Sequence, residues 1–484
     1  MSELTIHLQT RSGKPLYEQI YEYIKNDIQK GRLKNGEKLP STRTLAKYLE
    51  LSRSTVELAY EQLLSEGYIE AEPCRGYFVA QIDELFRMDT KKRVPRTKAK
   101  EAVKKYRYDF SPTGVDLKSF PYSAWRKLSK ECLLDDKAEL FRLGDPKGEW
   151  GLRNAIADYL YHARGADCRP EQIIVGAGND YLLMLLSTVL GKEYKIALEN
   201  PTYKQAYRLF QNLSYEVCTV DMDENGMLVK ELKKTEADIA FVMPSHQYPL
   251  GTVMPLKRRM ALLQWAEEKE ERYIIEDDYD SEFRYKGKPI PALKGYDRSE
   301  KVIYMGTFSK SIAPAIRMSY MVLPEPVLKI YEERCSFVSS TVSKVDQMIL
   351  QQFLEQGYYE RHLNKTRALY KGRHDVLLAE LKSLKDLCMV SGENAGVHLL
   401  LHFRDFEEKD LVEAAAEKGV LVCGLSEYYV AEPKKKEAVI MLGYANMKEE
   451  KIKDAVRLLE EAWRGIDLKK IQDRKSLVTE KVSG

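Results

Sequence analysis

Disulfide chemistry, a membrane span and a bulk charge signature are all missing from this sequence. Its 484 residues include seven cysteines, Cys74, Cys132, Cys168, Cys218, Cys335, Cys388 and Cys423. The number is odd, the spacing is irregular and no Cys-x-x-Cys occurs, so neither a disulfide framework nor a cysteine zinc site organises the chain. The thiols are expected to be reduced and mostly buried, and no metal site is expected. No stretch approaches the roughly 18 uninterrupted apolar residues of a membrane span. Met1 to Thr10 lacks the apolar segment of a secretory leader, so a cytoplasmic location is expected. Charge is nearly balanced, with 77 basic and 74 acidic residues. Residues 1–82 taken alone hold eleven of each sign, and charge therefore selects no partner.

What is present is a globular composition, 44% apolar and 31% charged, on a chain too long for one hydrophobic core. Leu16, Ile20, Ile24 and Ile28 recur every four residues and predict a helix that Gly31 stops. Leu45, Ala46 and Leu49 give a second short apolar face. After Leu51-Ser52-Arg53 a third helix carries Val56, Ala59, Leu63 and Leu64, with Ser54 and Glu57 as a capping box and Gly67 at its exit. Tyr68 to Ala71 and Gly76 to Val79 alternate around Glu72-Pro73-Cys74-Arg75, which reads as a β-hairpin. Three helices and a hairpin make a winged helix-turn-helix over residues 1–82. A basic stretch with few apolar residues follows, including Lys91, Lys92, Arg93, Arg96, Lys98, Lys100, Lys104 and Lys105, and marks residues 83–107 as an exposed linker.

Pro15-Leu16-Tyr17-Glu18-Gln19-Ile20, the run Leu39 to Ala46, and Ser52-Arg53-Ser54-Thr55-Val56 resemble the GntR-type winged-helix regulators. The resemblance implies contact with double-stranded operator DNA through Ser41, Arg43, Arg53, Ser54, Thr55 and the wing residues Arg75 and Gly76. Arginine and hydroxyl side chains at the start of a recognition helix suit base edges and phosphates, and a glycine lets a wing approach the groove.

Residues 108–466 repeat another pattern, an apolar run that ends abruptly in polar or glycine-containing residues. Ile173 to Val175 precede Gly176-Ala177-Gly178-Asn179, and Ile196 to Leu198 precede Glu199-Asn200-Pro201. Ile239 to Met243 precede Pro244-Ser245-His246-Gln247, Ile274-Ile275 precede Glu276-Asp277-Asp278-Tyr279, and Val302 to Met305 precede Gly306-Thr307-Phe308-Ser309-Lys310. Helical patterns lie between them, which predicts a mainly parallel α/β sheet with ligand groups at the carboxyl ends of its strands. Residues 467–484 read as a C-terminal tail.

The inventory of those loops suits a phosphorylated pyridine aldehyde, which needs a lysine, a carboxylate for its ring nitrogen, an aromatic for its ring face and anion donors for its phosphate. Gly306 to Ser311 with Arg317 resembles the lysine segment of type I aminotransferases. The resemblance implies fold type I with a smaller C-terminal subdomain, pyridoxal 5'-phosphate held as an imine on Lys310, and phosphate contacts from Thr307 and Arg317. It also implies Asp277 at the ring nitrogen, Tyr279 beside the ring hydroxyl and Tyr203 stacked on the ring. Whether Asp277 or Asp278 faces the ring stays open in the sequence. Gly178 and Asn179 open a helix whose free amides bind phosphate. His246 has no assignable role.

The two halves together resemble MocR-type regulators, a GntR-like winged helix fused to an aminotransferase-like domain, along nearly the whole chain. Asp145-Pro146-Lys147-Gly148 with Leu152-Arg153, Pro244 to Gln247 and Glu276 to Asp280 carry that likeness. It implies a homodimer that controls transcription in response to an amine, an amino acid or a vitamin B6 compound. The alternative function is a working aminotransferase with an appended DNA-binding domain. Two departures weigh against that alternative. Tyr248 stands where those enzymes have asparagine before Pro-Thr-Gly, and Met441 stands where a late arginine binds the substrate carboxylate, a task that needs a charged planar fork.

The 25 residues of the linker would span roughly 28 Å as a random coil and about 80 Å fully extended. Operator binding should therefore tolerate insertion of whole helical turns, about 34 Å each, between half-sites and resist half-turn insertions. Gel-shift affinities across a spacing series measure this, and equal binding at every spacing would argue against two half-sites on one face of the DNA.

Overall fold

The computed structural model describes residues 6, 8, 13–81, 106–134, 138–285, 290–433 and 437–482, with 467–482 as backbone alone. Residues 83–105 of the expected linker lie outside this set. The chain divides into two compact units, Met1–Val103 and Lys104–Gly484. Among the described residues no helix is long and apolar enough to cross a membrane. Cys132, Cys335 and Cys388 are buried, Cys168, Cys218 and Cys423 half-buried, and Cys74 exposed in the hairpin turn.

In the first unit, helices α1 (Leu16–Gln29), α2 (Thr42–Tyr48) and α3 (Arg53–Ser65) precede an antiparallel pair, β1 (Ile69–Glu72) and β2 (Gly76–Val79). Ile20, Ile24, Leu45, Val56, Ala59, Leu63, Ile69 and Val79 form one core. The chain before α2 also joins the hairpin, with Leu39 N–H donating to Tyr77 O and Val79 N–H to Glu37 O, both at 2.9 Å. The cap of α3 differs from the sequence expectation. Ser52, in extended conformation, is the N-cap and accepts from Thr55 N–H at 3.3 Å. Ser54 already lies in the first helical turn, and Glu57 pairs with Arg53 at 2.7 Å. An N-cap must be non-helical to aim its side chain at the free amides, which Ser52 satisfies and Ser54 does not.

The second unit is built on an eight-stranded sheet. Its order is Ile173–Gly176, Ser319–Val322, Val302–Thr307, Tyr273–Asp278, Ile239–Val242, Lys195–Asn200, Glu216–Asp223, Gly226–Met227. The five runs read from the sequence are all strands of this sheet. Four neighbouring pairs are parallel, while Ser319–Val322 is antiparallel to both its neighbours. Central strands are buried on both faces, as a parallel sheet covered by helices requires. Ile174, Ile196, Leu198, Ile239, Phe241, Ile275, Ile303 and Met305 face one core cluster. Their chain neighbours Ile173, Val175 and Tyr304 face a second cluster, and Ala197, Ala240, Ile274 and Val302 a third.

A smaller C-terminal sheet, order Cys388–Ser391, His398–Phe403, Ala438–Gly443, Cys423–Gly424, is antiparallel throughout. The 24-residue helix Tyr358–Leu381 belongs to both regions. Its Tyr359 and Leu363 pack in the large-sheet cluster, and its Tyr370, Leu377 and Leu381 in the small-sheet cluster. The last helix, Glu449–Val482, runs past residue 466, so 467–482 continue a helix where the sequence suggested a tail.

Candidate cofactor and DNA-binding sites

Strand parity decides what the carboxyl ends present. Alternate residues of a strand point to opposite faces, so Asp277 shares a face with Ile275 and Asp278 shares one with Ile274. Asp278 is consumed on its face, accepting from Arg164 Nε at 2.7 Å and from the Tyr304 hydroxyl at 2.6 Å. Arg164 is itself buried and also donates to Ser245 Oγ at 2.7 Å and Ile290 O at 2.5 Å. Asp277 instead opens into a cavity of about 260 Å³. Of the two candidates for the ring nitrogen, Asp277 is the one the cavity contains.

The cavity gathers Lys310, Asp277, Tyr279, Tyr203, Thr307, Arg317 and Asn179 in one lining. Gly178 caps the helix Asn179–Leu190 at φ +97°, and a Cβ there would come 2.3 Å from the Arg317 guanidinium. The positive φ disfavours any other residue at Gly178, and a side chain there would push Arg317 out of the cradle. Tyr248, the sequence's departure from asparagine, lines the cavity too, and sequence reasoning missed Ser309, Ser319, Thr113 and Val115 among the lining residues. Thr307 Oγ1 accepts from Ser319 Oγ at 2.8 Å and from Ser309 N–H at 3.1 Å. Arg317 lies 3.3 Å from Asp180.

Electrostatics separate the two reactive groups. Burial lowers the Lys310 ammonium to about 8 against a weaker pull upward from Asp280, and its Nζ donates to Pro112 O at 3.2 Å. Burial, with Asp278 and Asp280 adding like charge, raises Asp277 to about 7. Asp277 is 6% exposed, accepts from Asn179 Nδ2 at 3.0 Å and meets no cation of the described residues. A folded chain then holds a proton on Asp277 that an unfolded chain releases. Stability falls as pH rises from the ordinary aspartate range through about 7, unless a cation settles beside the carboxylate.

His246 now has a place. It is buried, with Nδ1 2.9 Å from Asp280 and 3.0 Å from the Tyr279 hydroxyl, so Asp280 and His246 together fix the phenol at the cavity wall. Met441 lies in the strand Ala438–Gly443, fully buried in the core cluster behind the cavity.

Two buried atoms at this site, Ser309 Oγ and Asn179 Oδ1, have no hydrogen-bond partner among the described residues. With them stand an amine of lowered basicity, a buried carboxylate awaiting a cation, three tyrosines and a cradle of amide, hydroxyl and guanidinium donors. This donor set fits pyridoxal 5'-phosphate at each of its polar groups.

In the first unit, Ser41, Arg43, Arg53, Ser54 and Arg75 are exposed, and Thr55 and Gly76 half-buried. Ser41 caps α2, accepting from Thr44 N–H at 3.1 Å. Ser52 Oγ lies 2.9 Å from Ser54 Oγ and 2.8 Å from Thr55 Oγ1. Arg75 reaches Glu72 within the hairpin and lies over the Phe78 ring. The start of α3 and the tip of the wing therefore carry arginines whose only carboxylate partners among the described residues are exposed neighbours, which solvent-screened pairing holds weakly.

Comparison with known proteins gives these two sites a family. Residues 114–459 match the family described as aminotransferase class I and II, and residues 16–79 match the bacterial regulatory proteins of the gntR family. The chain is 40% identical over 464 residues to "Uncharacterized HTH-type transcriptional regulator YdeL" of Bacillus subtilis (strain 168), covering 96% of this chain and 100% of that one. It is 32% identical over 469 residues to "Probable rhizopine catabolism regulatory protein MocR" of Rhizobium meliloti, covering 94% of each. The chain belongs to the MocR-type transcriptional regulators. Among solved structures, the multiple substrate aminotransferase from Thermococcus profundus superposes with a TM-score of 0.66 at 26% identity, covering 75% of this chain and 92% of that one. This MocR-type regulator thus combines a DNA-binding winged helix with a fold type I domain whose cofactor is pyridoxal 5'-phosphate.

Borohydride reduction of the MocR-type regulator should fix a pyridoxyl group on Lys310, and Lys310→Ala should lose it. Reconstitution of cofactor-free protein should accelerate as pH rises through about 8, where Lys310 sheds its proton. Peptide mapping of the adduct to another lysine, or a rate indifferent to pH across that range, would remove the assignment. Arg43→Ala and Arg53→Ala should each weaken operator binding without altering the cofactor spectrum. A residue that touches only phosphate should also reduce the salt slope of binding by about one; unchanged affinity in both variants would point away from these contacts.

Proposed function

We propose that this regulator binds operator DNA as a cytoplasmic homodimer and alters that binding when a primary amine, amino acid or vitamin B6 compound occupies the Lys310 cavity, with little or no net transamination. The observation that carries this reading is where the cavity places its cations. Among the described lining residues these are Lys310 and Arg317, and Arg317 stands at the Gly178 end with Thr307, where a phosphate belongs. Met441 offers no guanidinium from the strand where related enzymes bind a carboxylate, and its side chain is enclosed in the core. Methionine in place of a bidentate arginine forgoes about 1.5–3 kcal/mol of charge-assisted hydrogen bonding. That is about tenfold or more in rate against an ordinary amino-acid substrate.

When bound, pyridoxal phosphate supplies an aldehyde carbon that an amine can hold and a ring that withdraws electrons. The chain's own residues do the rest. Asp277 keeps a proton at the ring nitrogen by the charge it holds in a buried place. Tyr279, steadied by His246 and Asp280, keeps its hydroxyl at the wall. Lys310 would hold the cofactor's aldehyde carbon, and burial, which lowers its free amine to about 8, would let it stand in the cavity partly neutral when an incoming amine takes its place. Once released, Nζ has Pro112 O within reach at 3.2 Å. Pro112 lies three residues beyond the strand Tyr108–Asp109, the first strand after the linker, and this contact supports a route by which ligand exchange biases DNA binding.

Intact Lys310 and Asp277 favour the second reading, a working aminotransferase. Amines and amino acids should be screened while the cofactor spectrum, keto-product formation and operator affinity are followed on one preparation. A ligand that shifts both the spectrum and the operator affinity with negligible keto product is the expected result. Sustained turnover of ordinary amino acids with no effect on DNA binding would overturn the sensor in favour of the enzyme.

A further inference from the structure

Behind the lysine loop lies a second cavity of about 470 Å³, sharing no lining residue with the first. It opens between the start of the helix Tyr122–Cys132 and the first turns of Tyr358–Leu381. Its polar lining consists of Ser119, Ser123, Arg126, Arg361, His362 and Lys365, with no aspartate or glutamate. Arg361 and Lys365 stand one turn apart on one helix face. No carboxylate of the described residues forms an ion pair with Arg126, Arg361 or Lys365. Like charges at this spacing repel and cost stability when nothing lies between them. Phe120, Tyr122 and Tyr358 complete the wall with aromatic surface.

The floor of this cleft touches the cofactor's lysine segment. His362 is 5% exposed, and its Nε2 donates to Ser311 O at 2.9 Å. Its neighbour Tyr359 donates to Ser311 Oγ at 2.9 Å. Ser311 follows Lys310 directly, so the residue that lines the cleft also holds the peptide next to Lys310.

We infer that this cleft is a second ligand site, for the phosphate ester of a small organic molecule, and that its occupancy is communicated through His362 and Ser311 to Lys310. Three cations and the Ser123 hydroxyl meet the charge and acceptor oxygens of a phosphate dianion, the Ser119 hydroxyl being donated to Asp116 O at 2.7 Å. The aromatic rings meet its organic part. The binding half of the inference stands apart from the proposed function; the communication half rests on Lys310 holding the cofactor.

The test is isothermal titration of phenyl phosphate into the full-length protein saturated with cofactor, beside inorganic phosphate and benzoate. Phenyl phosphate should bind once per chain in addition to the cofactor, and more tightly than either control. The double variant Arg126→Ala/Lys365→Ala, altered at two exposed positions, should weaken it about tenfold or more. Phenyl phosphate should shift the visible spectrum of the wild-type protein. That shift should vanish in His362→Ala and return in His362→Gln, which keeps an N–H for Ser311. Absence of binding, or binding that the double variant leaves unchanged, overturns the site. Loss of operator affinity in the double variant, without any phenyl phosphate binding to the wild type, makes the cleft a DNA-backbone contact and likewise overturns it. Binding with no spectral shift overturns the communication alone. Mapping of the borohydride adduct away from Lys310 would instead sink the cofactor reading while leaving the cleft standing.

Discussion

Five carboxylates lie between Glu276 and Glu282 at the end of one buried strand, and the large domain is arranged around neutralising them. Isolated buried charge is among the costliest things a fold can contain. Glu276 is met by the backbone amides of Leu293 and Lys294 at 2.7 and 2.8 Å. Asp278 takes Arg164 and Tyr304, Asp280 takes His246, and Glu282 takes the Tyr159 hydroxyl at 3.1 Å. Asp277 alone of the five has just a side-chain amide for company. The ring nitrogen of pyridoxal phosphate is the cation that Asp277 lacks and Asp278 finds in Arg164, while Glu282, which burial pushes up to about 7, keeps its proton in place of a cation.

The sequence shows the strands and loops of this site because each apolar run ends sharply and each loop carries a residue type with a definite chemical use. It cannot separate Asp277 from Asp278. Ile274 and Ile275 are both apolar in a sheet buried on both faces, so the alternation that marks inward and outward residues in a half-exposed strand is absent. The decision comes from Arg164, which precedes Asp278 by 114 residues and gives no local sign of its destination. His246 fails for the same reason, since its meaning depends on Asp280 across a loop. In the small domain the helices and hairpin are legible from four-residue and two-residue periods. The cap of α3 is misplaced by two residues because Ser52, Ser54 and Thr55 all carry capping oxygens, and backbone conformation selects among them.

Two kinds of exposed arginine emerge. Arg53 and Arg75 are paired to neighbouring acids on their own elements, where a DNA phosphate can compete in water for a weakly held side chain. Arg126 and Arg361 stand with Lys365 in a concavity without an acid in its lining. The overall charge of the chain conceals both, because what matters is which acids stand beside the cations.

The helix Tyr358–Leu381 is a mechanical element as well as a packing one. Its 24 residues make a rod about 36 Å long, seated at one end beneath Ser311 and at the other in the C-terminal sheet's core. A close-packed core transmits displacement in place of absorbing it. A tilt of about 5° at one seat moves the far end of such a rod by about 3 Å. A displacement of the C-terminal sheet and the position of the peptide after Lys310 would therefore be geared together, with the slack set by the side chains that seat the rod, not by those that touch a ligand.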